Sequence, residues 1–237
     1  MTAMHILITS VLLVLASFTP ATAADAPSRP APDVAALAAQ APEQPLPAPS
    51  GGGRPLQECL ADRRTDRTFA EDRPLDRQQL ADLLWAACGI NRPESGKRTA
   101  PSARNWQEVD VYLTLPEGAF LYWPTTHSLQ RVSPRDLRAV AGRQAFCATA
   151  PLNLVFVADA RRMAGCPDDL RDLYMGADTA FMAQNVYLQC ASTGLACVVR
   201  GLIDREAIHE ALALAPEQRV TLCMTVGHRA ADDPPER

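Results

Sequence analysis

The chain has 237 residues and a formal net charge of −4 at pH 7. This acidic balance and the lack of a basic face argue against nucleic acid as the partner. All of the 23 basic residues except Lys97 are arginine. Arginine motifs therefore arise easily by chance, and each one needs support from elsewhere in the sequence.

The amino-terminal region has the pattern of an export signal. Its apolar segment, Ile6 to Phe18, spans 13 residues and is too short to cross a bilayer. Ala21-Thr22-Ala23 follows as a small-x-small cleavage site. We predict a signal peptide over residues 1–23, no transmembrane segment, and a mature protein in the periplasm or secreted from the cell.

Composition divides the rest of the chain into three parts. Residues 24–55 are rich in alanine and proline and end in Gly51-Gly52-Gly53, which predicts a disordered tether. Residues 56–230 are long enough for one domain that buries roughly 70% of its extended-chain surface. Residues 231–237 are predicted to form a flexible tail.

The seven cysteines are scattered, odd in number and without a C-x-x-C pair. Most lie in apolar runs, which favours buried thiols that act as small hydrophobes. One or two disulfide bonds stay open as an alternative. Zinc is disfavoured because the four histidines lie far apart in the sequence.

A cluster of arginines opens the predicted domain. Arg63-Arg64-Thr65-Asp66-Arg67 places three guanidinium groups and a hydroxyl within five residues. Guanidinium forks match phosphate oxygens, and a hydroxyl can bind an attached ribose or polyol chain. We interpret the cluster as an anion clamp; a solvated basic turn is the alternative.

The first half of the domain combines helical and strand patterns. Leucines from Leu75 onward predict an amphipathic helix that Asp76 caps and Gly89 ends. A polar, ordered loop from Asn91 to Arg104 leads to Pro101–Gln107, a loop tip suited to binding, or else a solvated loop. Two segments, 109–115 and 119–123, predict a hairpin with one buried face. Ser133-Pro134 predicts a short helix to about Gly142.

The second half contains the longest helical pattern. Residues 152–158 predict a central strand covered on both faces. Residues 168–193 predict a long helix ending at Gly194, with an apolar arc wide enough to serve as a homodimer interface. A strand over 196–199, a helix from Asp204 to about Leu214 and a strand over 220–226 follow. The order indicates an α+β fold or a three-layer α/β sandwich around one sheet.

Three separated motifs then carry a resemblance. Arg63 to Phe69 resembles the R-R-S-x-R-x-F opening of the nitroreductase family, and Ala100 to Gln107 resembles its A-P-S-S-x-N-x-Q-P-W loop. The stretch from Gln184-Asn185 to Gly201 resembles its long helix and the glycine turn beside the flavin. The resemblance implies a homodimeric three-layer α/β/α sandwich with a mixed, mainly antiparallel sheet and FMN as cofactor.

The same resemblance implies roles for individual residues. Arg63 and Arg64 would bind the FMN phosphate, Thr65 the ribityl chain, and Arg67 the pyrimidine end of the ring, where reduction builds negative charge. The partner subunit would contribute Pro101, Ser102 and Asn105. The remaining predicted contacts to the ring come from Gln144, Val199, Arg200 and Gly201.

Several departures from the family pattern bear on the function. Glu108-Val109 replaces the P-W of the loop, and Arg200 stands where typical members carry an acid. Near the carboxyl end, only Arg229 or Arg237 can stand in for the basic residues of other members. These changes are more similar to the branch that contains thiazoline and oxazoline dehydrogenases, and that branch does not fix a substrate.

The expected function is therefore an FMN-dependent oxidoreductase outside the cytoplasm. Hydride transfer to flavin needs no side-chain nucleophile, so no catalytic side chain is assigned. Nicotinamide cofactors are cytoplasmic, which implies a different electron donor. Two alternatives stay open: a flavin-free relative that acts as an extracytoplasmic binding module, and a cytoplasmic NAD(P)H nitroreductase whose export signal is misread.

Overall fold

A single large sheet with helices on both faces organises the computed structural model, which describes residues 43–230. The strands are β1 (Gln44–Pro45), β2 (Ile90–Arg92), β3 (Lys97–Arg98), β4 (Val109–Leu115), β5 (Gly118–Trp123), β6 (Ser128–Ser133), β7 (Leu152–Asp159), β8 (Ala196–Arg200) and β9 (Gln218–Gly227). The helices are α1 (Leu56–Asp62), α2 (Arg77–Cys88), α3 (Phe146–Thr149), α4 (Asp168–Thr193) and α5 (Arg205–Ala211). Short 3-10 turns, the longest at Arg138–Ala141, connect several of them.

The large sheet has the strand order β1-β6-β5-β4-β7-β9-β8, and β2 and β3 form a separate small hairpin. Every strand pair within residues 43–230 is antiparallel. This confirms an α+β fold with a mainly antiparallel sheet. No parallel pair occurs between the described strands, so the expectation of a mixed sheet is wrong for this part of the chain.

Strand β7 is the centre of the sheet. Leu154 pairs with Leu113 of β4 on one side and with Met224 of β9 on the other. All eight residues of β7 are buried, as the continuous apolar pattern predicts for a strand covered on both faces. Burying a leucine of this kind contributes about 1.5–3 kcal/mol.

Two hydrophobic clusters lie on opposite faces of the sheet. One joins α2 and α4 to residues such as Val111 and Leu113, and the other joins α5 to residues such as Tyr112 and Leu121. Side chains of a strand alternate between faces, so the β4–β5 hairpin is covered twice. The prediction of a single buried face for this hairpin is wrong, because α5 and the 138–141 turn cover the second one.

The two main helices begin and end where the sequence predicts. The Asp76 side chain accepts a hydrogen bond from the Gln79 amide, and the Gln79 side chain accepts one from the Asp76 amide. Together the two bonds form a capping box at the start of α2. Gly194 ends α4 in the left-handed region at φ +75°. Glycine adopts that conformation without the steric cost of a Cβ.

Residues 43–55 are ordered on the domain, which corrects the predicted tether boundary at residue 55. Leu46 is buried, and its amide donates to the His127 carbonyl at 2.9 Å. The Ser50 hydroxyl donates to Asp82 at 2.6 Å, and the Arg54 amide donates to the Ser192 hydroxyl at 3.0 Å. A proline-rich segment is already extended and stiff, so laying it along α2 and α4 costs little entropy. Residues 1–42 and 231–237, which include the predicted signal peptide and tail, lie outside the described residues.

Other differences concern short elements. The sequence patterns did not predict helices α1 and α3 or strands β1, β2, β3 and β6, and the helix predicted after Ser133 is only the 3-10 turn Arg138–Ala141. The Ser133 hydroxyl still accepts from the Arg135 amide at 3.2 Å, so it caps a bend in place of a helix. The other predicted strand and helix boundaries lie within a few residues of the observed ones.

All seven cysteines are free and buried, in agreement with thiols that fill the core. Among residues 43–230, no cluster of histidine, cysteine or acidic side chains could hold a metal ion. In the same part of the chain, every helix is too short or too polar to cross a membrane.

Candidate functional site

The arginine-rich segment lies along the outer edge of β8. Helix α1 ends at Asp62, and the Asp66 amide then donates to the Cys197 carbonyl of β8 at 2.9 Å. Asp66 is buried, and its carboxylate binds the Arg229 guanidinium at 2.5 Å. These contacts fix the segment between the edge of the sheet and the end of β9.

Tyr187 of α4 connects the segment to β8. Its hydroxyl lies 3.0 Å from the Thr65 hydroxyl and accepts from the Val199 amide at 3.0 Å. One side chain therefore joins the arginine segment, the long helix and the edge strand. The sequence analysis missed Tyr187; a hydroxyl near the end of the long helix, fourteen residues before Gly201, was the available signal.

The three arginines of the segment have no carboxylate partner among residues 43–230. The Arg63 guanidinium lies 5.4 Å from the centre of the Tyr187 ring, and Arg63 and Arg64 are half-buried. Arg67 is exposed. Like charges grouped without counter-charge repel one another, so this corner favours a bound anion such as a phosphate.

Arg229 differs from these three because Asp66 already neutralises it. It stands beside the segment, as expected for a stand-in near the carboxyl end. Its ion pair, however, gives it a positioning role on Asp66.

The end of β8 presents one exposed and one buried side. Val199 is half-buried next to Tyr187, and Gly201 is exposed. The Arg200 side chain turns to the opposite face of the sheet, where it donates to the Ala141 carbonyl at 2.8 Å and to the Asn153 side chain at 3.0 Å. A contact of Arg200 with a ligand on the Tyr187 side would therefore come from its main chain.

Gln144 lies with the elements that cover Arg200. Its carbonyl accepts from the Cys147 amide at 3.0 Å at the start of α3, and the Phe146 ring lies 5.8 Å from the Arg200 guanidinium. No described contact joins Gln144 to the arginine segment.

The predicted binding loop is held at a different level of α4. The Ser102 hydroxyl accepts from the Gln107 amide at 3.0 Å, and the Ala103 amide donates to Asp178 at 2.8 Å. Asp178 precedes Tyr187 by nine residues, about 14 Å along the helix axis. Pro101 and Asn105 are exposed. Within one chain, the loop therefore does not meet the arginine segment.

A buried acid lies directly after this loop. Glu108 is completely inaccessible to solvent. Burial raises its pKa to about 7, and the neighbouring Asp178 carboxylate adds to that shift. The sequence analysis noted Glu108 only as a departure from the family pattern and did not predict its protonation.

A groove of about 760 Å³ lies between α4, α5 and β9. One of its lining residues, Leu222, is the neighbour of Gly201, and Arg205 at its wall donates to the Gly201 carbonyl at 3.4 Å. The groove therefore adjoins the end of β8.

Comparison with known proteins identifies the family. Residues 60–228 match the nitroreductase family. A protein of Methanocaldococcus jannaschii that carries the name nitroreductase is 30% identical over 184 residues, which cover 73% of this chain and 91% of the relative. The chain therefore belongs to the nitroreductase family, and the resemblance found in the sequence is confirmed at that level.

Solved structures agree with this assignment. A Ralstonia eutropha protein of the same name is 42% identical, with a TM-score of 0.76 over 80% of this chain and 90% of that one. The microcin synthetase complex of Escherichia coli, with a truncated microcin precursor bound, has a TM-score of 0.62 at 16% identity, over 84% of this chain and 82% of that one. The second similarity concerns the fold alone.

Proposed function

We propose that this chain is an FMN-dependent oxidoreductase that works as a homodimer, with FMN at the subunit interface. One observation carries the proposal: a segment with three arginines that have no carboxylate partner in the described chain runs along the edge of β8, and Arg63, the first of them, lies over the Tyr187 ring. Members of the nitroreductase family are typically flavin-dependent oxidoreductases.

The residues of the arginine segment fit the parts of FMN. Arg63 and Arg64 bind the phosphate, because their guanidinium groups are free for bidentate hydrogen bonds. Thr65 binds the ribityl chain through its hydroxyl, which Tyr187 orients at 3.0 Å. Arg67 binds the pyrimidine end of the ring. FMN supplies a carrier for a hydride, the two electrons and one proton that pass to or from the substrate.

The main chain of β8 forms the support for the ring. The Tyr187 hydroxyl accepts the hydrogen bond of the Val199 amide, and this bond holds the edge of β8 in place. Gly201 is exposed, and a Cβ added there would meet only Leu222, at 3.8 Å. A flat ring can therefore approach the backbone at Val199 and Gly201 without displacing protein atoms.

The dimer completes the pocket. Leu173 and Phe181 on α4 are 62% and 46% exposed in the single chain, and Leu202 beside Gly201 is 63% exposed. Large apolar side chains on one helix face indicate a protein interface. Because the loop lies about 14 Å along α4 from the arginine segment of its own chain, Pro101, Ser102 and Asn105 of the partner subunit close over the flavin.

The substrate is a small molecule or a peptide outside the cytoplasm. The signal peptide predicted over residues 1–23 directs export, and an exported enzyme does not have cytoplasmic NAD(P)H as its usual donor. Two departures from the family pattern favour the thiazoline and oxazoline dehydrogenase branch. The loop lacks the P-W pair, and Arg200 stands where typical members carry an acid. The fold similarity to the microcin synthetase complex agrees with that branch without naming a substrate.

The test is the absorbance spectrum of the purified mature protein, reconstituted with FMN and desalted. We expect a yellow dimer with one FMN per subunit. A colourless protein that does not retain added FMN would overturn the proposal in favour of a flavin-free binding module. An intact amino terminus in protein from the native cell would instead support a cytoplasmic NAD(P)H enzyme.

A further inference from the structure

Arg200 is a positive charge buried inside the protein. The residue is only 5% exposed, although arginine is almost never buried without a partner. Its guanidinium donates to the Ala141 carbonyl at 2.8 Å, the Asn153 amide oxygen at 3.0 Å and the Thr225 hydroxyl at 2.9 Å. Its Nε is buried and has no hydrogen-bond partner within the described chain.

None of these contacts supplies a negative charge. The three acceptors are a carbonyl, an amide and a hydroxyl, and no carboxylate in residues 43–230 forms an ion pair with Arg200. The neighbouring ionisable groups are the thiols of Cys147 and Cys223. Burial raises the pKa of both, that of Cys223 to about 12, even though the Arg200 charge acts in the opposite direction. Both thiols are therefore neutral at pH 7.

The surrounding structure holds this charge in one place. The Arg200 guanidinium packs against the Phe146 ring at 5.8 Å. Gly142 lies directly against the Arg200 side chain. A Cβ at this position would lie 1.6 Å from an Arg200 nitrogen, so a larger residue would displace the guanidinium. An unpaired buried charge is expensive, because the protein replaces its hydration only in part. A negative charge that is present for part of a reaction cycle would compensate it.

We propose that Arg200 sets the reduction potential of the flavin by acting as a fixed positive charge behind β8. The proposal rests on the proposed function, in which the ring lies on the other side of the same strand at Val199 and Gly201. Arg200 does not touch the ring; it acts through its field, which is strong because the intervening medium is dry protein.

The charge balance explains the direction of the effect. A substrate that gives up a hydride transfers two electrons and one proton, and a second proton leaves it for solvent. Flavin that receives the hydride and no further proton carries a net negative charge. Arg200 stabilises that charge, so it favours the reduced flavin and thereby favours oxidation of the substrate.

The test is a dye-coupled redox titration of the FMN-loaded dimer. Arg200→Gln removes the charge and keeps a hydrogen-bonding side chain, and Arg200→Lys keeps the charge. For Arg200→Gln we expect the ratio of oxidised to reduced flavin at a fixed potential to rise at least tenfold. For a two-electron couple, a tenfold rise corresponds to a decrease of about 30 mV in the midpoint potential. We expect less than half of that shift for Arg200→Lys.

Arg219→Gln is the matched control. Arg219 also lies at the sheet, on β9, but it is exposed to solvent, and its printed partner is the exposed carboxylate of Asp172 at 2.6 Å. Water screens its charge, so we expect no measurable change in potential. A bound flavin with the same potential in Arg200→Gln and wild type would overturn the inference and leave the proposed function intact.

A second measurement compares the wild-type protein with Arg67→Gln, because Arg67 also places a positive charge at the ring, and it tests the inference if Arg200→Gln does not fold. One proton taken up per two electrons changes the potential by about 30 mV per pH unit, and two protons change it by about twice as much. We expect both proteins to keep the one-proton slope at pH values where free FMN, titrated in parallel, already has the two-proton slope. A two-proton slope at the same pH would overturn the inference, and failure to bind FMN at all would overturn it together with the proposed function.

Discussion

Replacing Arg63 by alanine tests the proposed phosphate site. Arg63 has no carboxylate partner in the described chain and contacts the Tyr187 ring, so its guanidinium is available for a ligand. A hydrogen bond to a charged group contributes about 1.5–3 kcal/mol. At about 1.4 kcal/mol per tenfold, Arg63→Ala should weaken FMN binding by about tenfold to one hundredfold.

The assay is a fluorescence titration of the apoprotein with FMN, accompanied by thermal unfolding without FMN. Loss of the contact with Tyr187 should cost the apoprotein only about 0.5–1 kcal/mol. Arg54→Ala is the control, because Arg54 forms exposed ion pairs with Glu58 and Asp62 of α1, which contribute little. It should leave the FMN affinity unchanged. Equal affinities of Arg63→Ala and wild type would refute the assignment of Arg63 to the phosphate.

Three further predictions address the supports of the site. Tyr187→Phe leaves the Val199 amide without its acceptor and should lower the free energy of unfolding by about 1–3 kcal/mol; an unchanged melting temperature would contradict this. The Glu108 pKa of about 7 lies above its ordinary value of 4.5. Protonated Glu108 therefore contributes fully to the free energy of unfolding below pH 4.5, and this contribution is lost as the pH rises to about 7. The total loss should be about 3 kcal/mol. The difference in unfolding free energy between wild type and Glu108→Gln should follow that curve, and a difference independent of pH would refute it. Phe181→Glu should yield monomers in sedimentation and weaken FMN binding, and a monomer that binds FMN as tightly as the wild-type dimer would contradict the shared pocket.

The sequence predicted the elements whose signals are local. The capping box at Asp76 and the glycine stop at Gly194 bounded α2 and α4 closely, because caps and left-handed residues act within one turn of the chain. Strand β7 was equally clear, because a continuous apolar run of strand length indicates burial on both faces.

The missed elements depend on contacts with distant parts of the chain. Strand β6 has polar side chains such as Gln130, which the Trp123 indole binds at 2.9 Å from the neighbouring strand. Residues 43–55 look disordered by composition, and their hydrogen-bond partners, which include α2, α4, His127 and strand β6, come from distant parts of the chain. Propensity and periodicity contain no information about such partners.

The sequence motifs selected the arginine segment and the loop at Ser102, and the binding roles of both stay predictions. The contacts by which Tyr187 joins the arginine segment to β8 emerged only from the three-dimensional structure. The inward turn of Arg200 was accessible from the strand period of two, which puts Val199 and Arg200 on opposite faces. That Glu108 is buried beside Asp178 depends on how the loop packs on α4.

The shared pocket is tested most directly by mixing two defective subunits. One subunit carries Arg63→Ala with Arg64→Ala, and the other carries Pro101→Gly with Ser102→Ala. The two subunits carry different tags, so that heterodimers can be purified. Bound flavin is then measured at an FMN concentration where neither mutant homodimer binds FMN. If each pocket takes its arginines from one chain and its loop from the other, one of the two pockets is intact, and the heterodimer should bind one FMN per dimer. A heterodimer without FMN would contradict the account, because a pocket built within one chain would leave both sites defective.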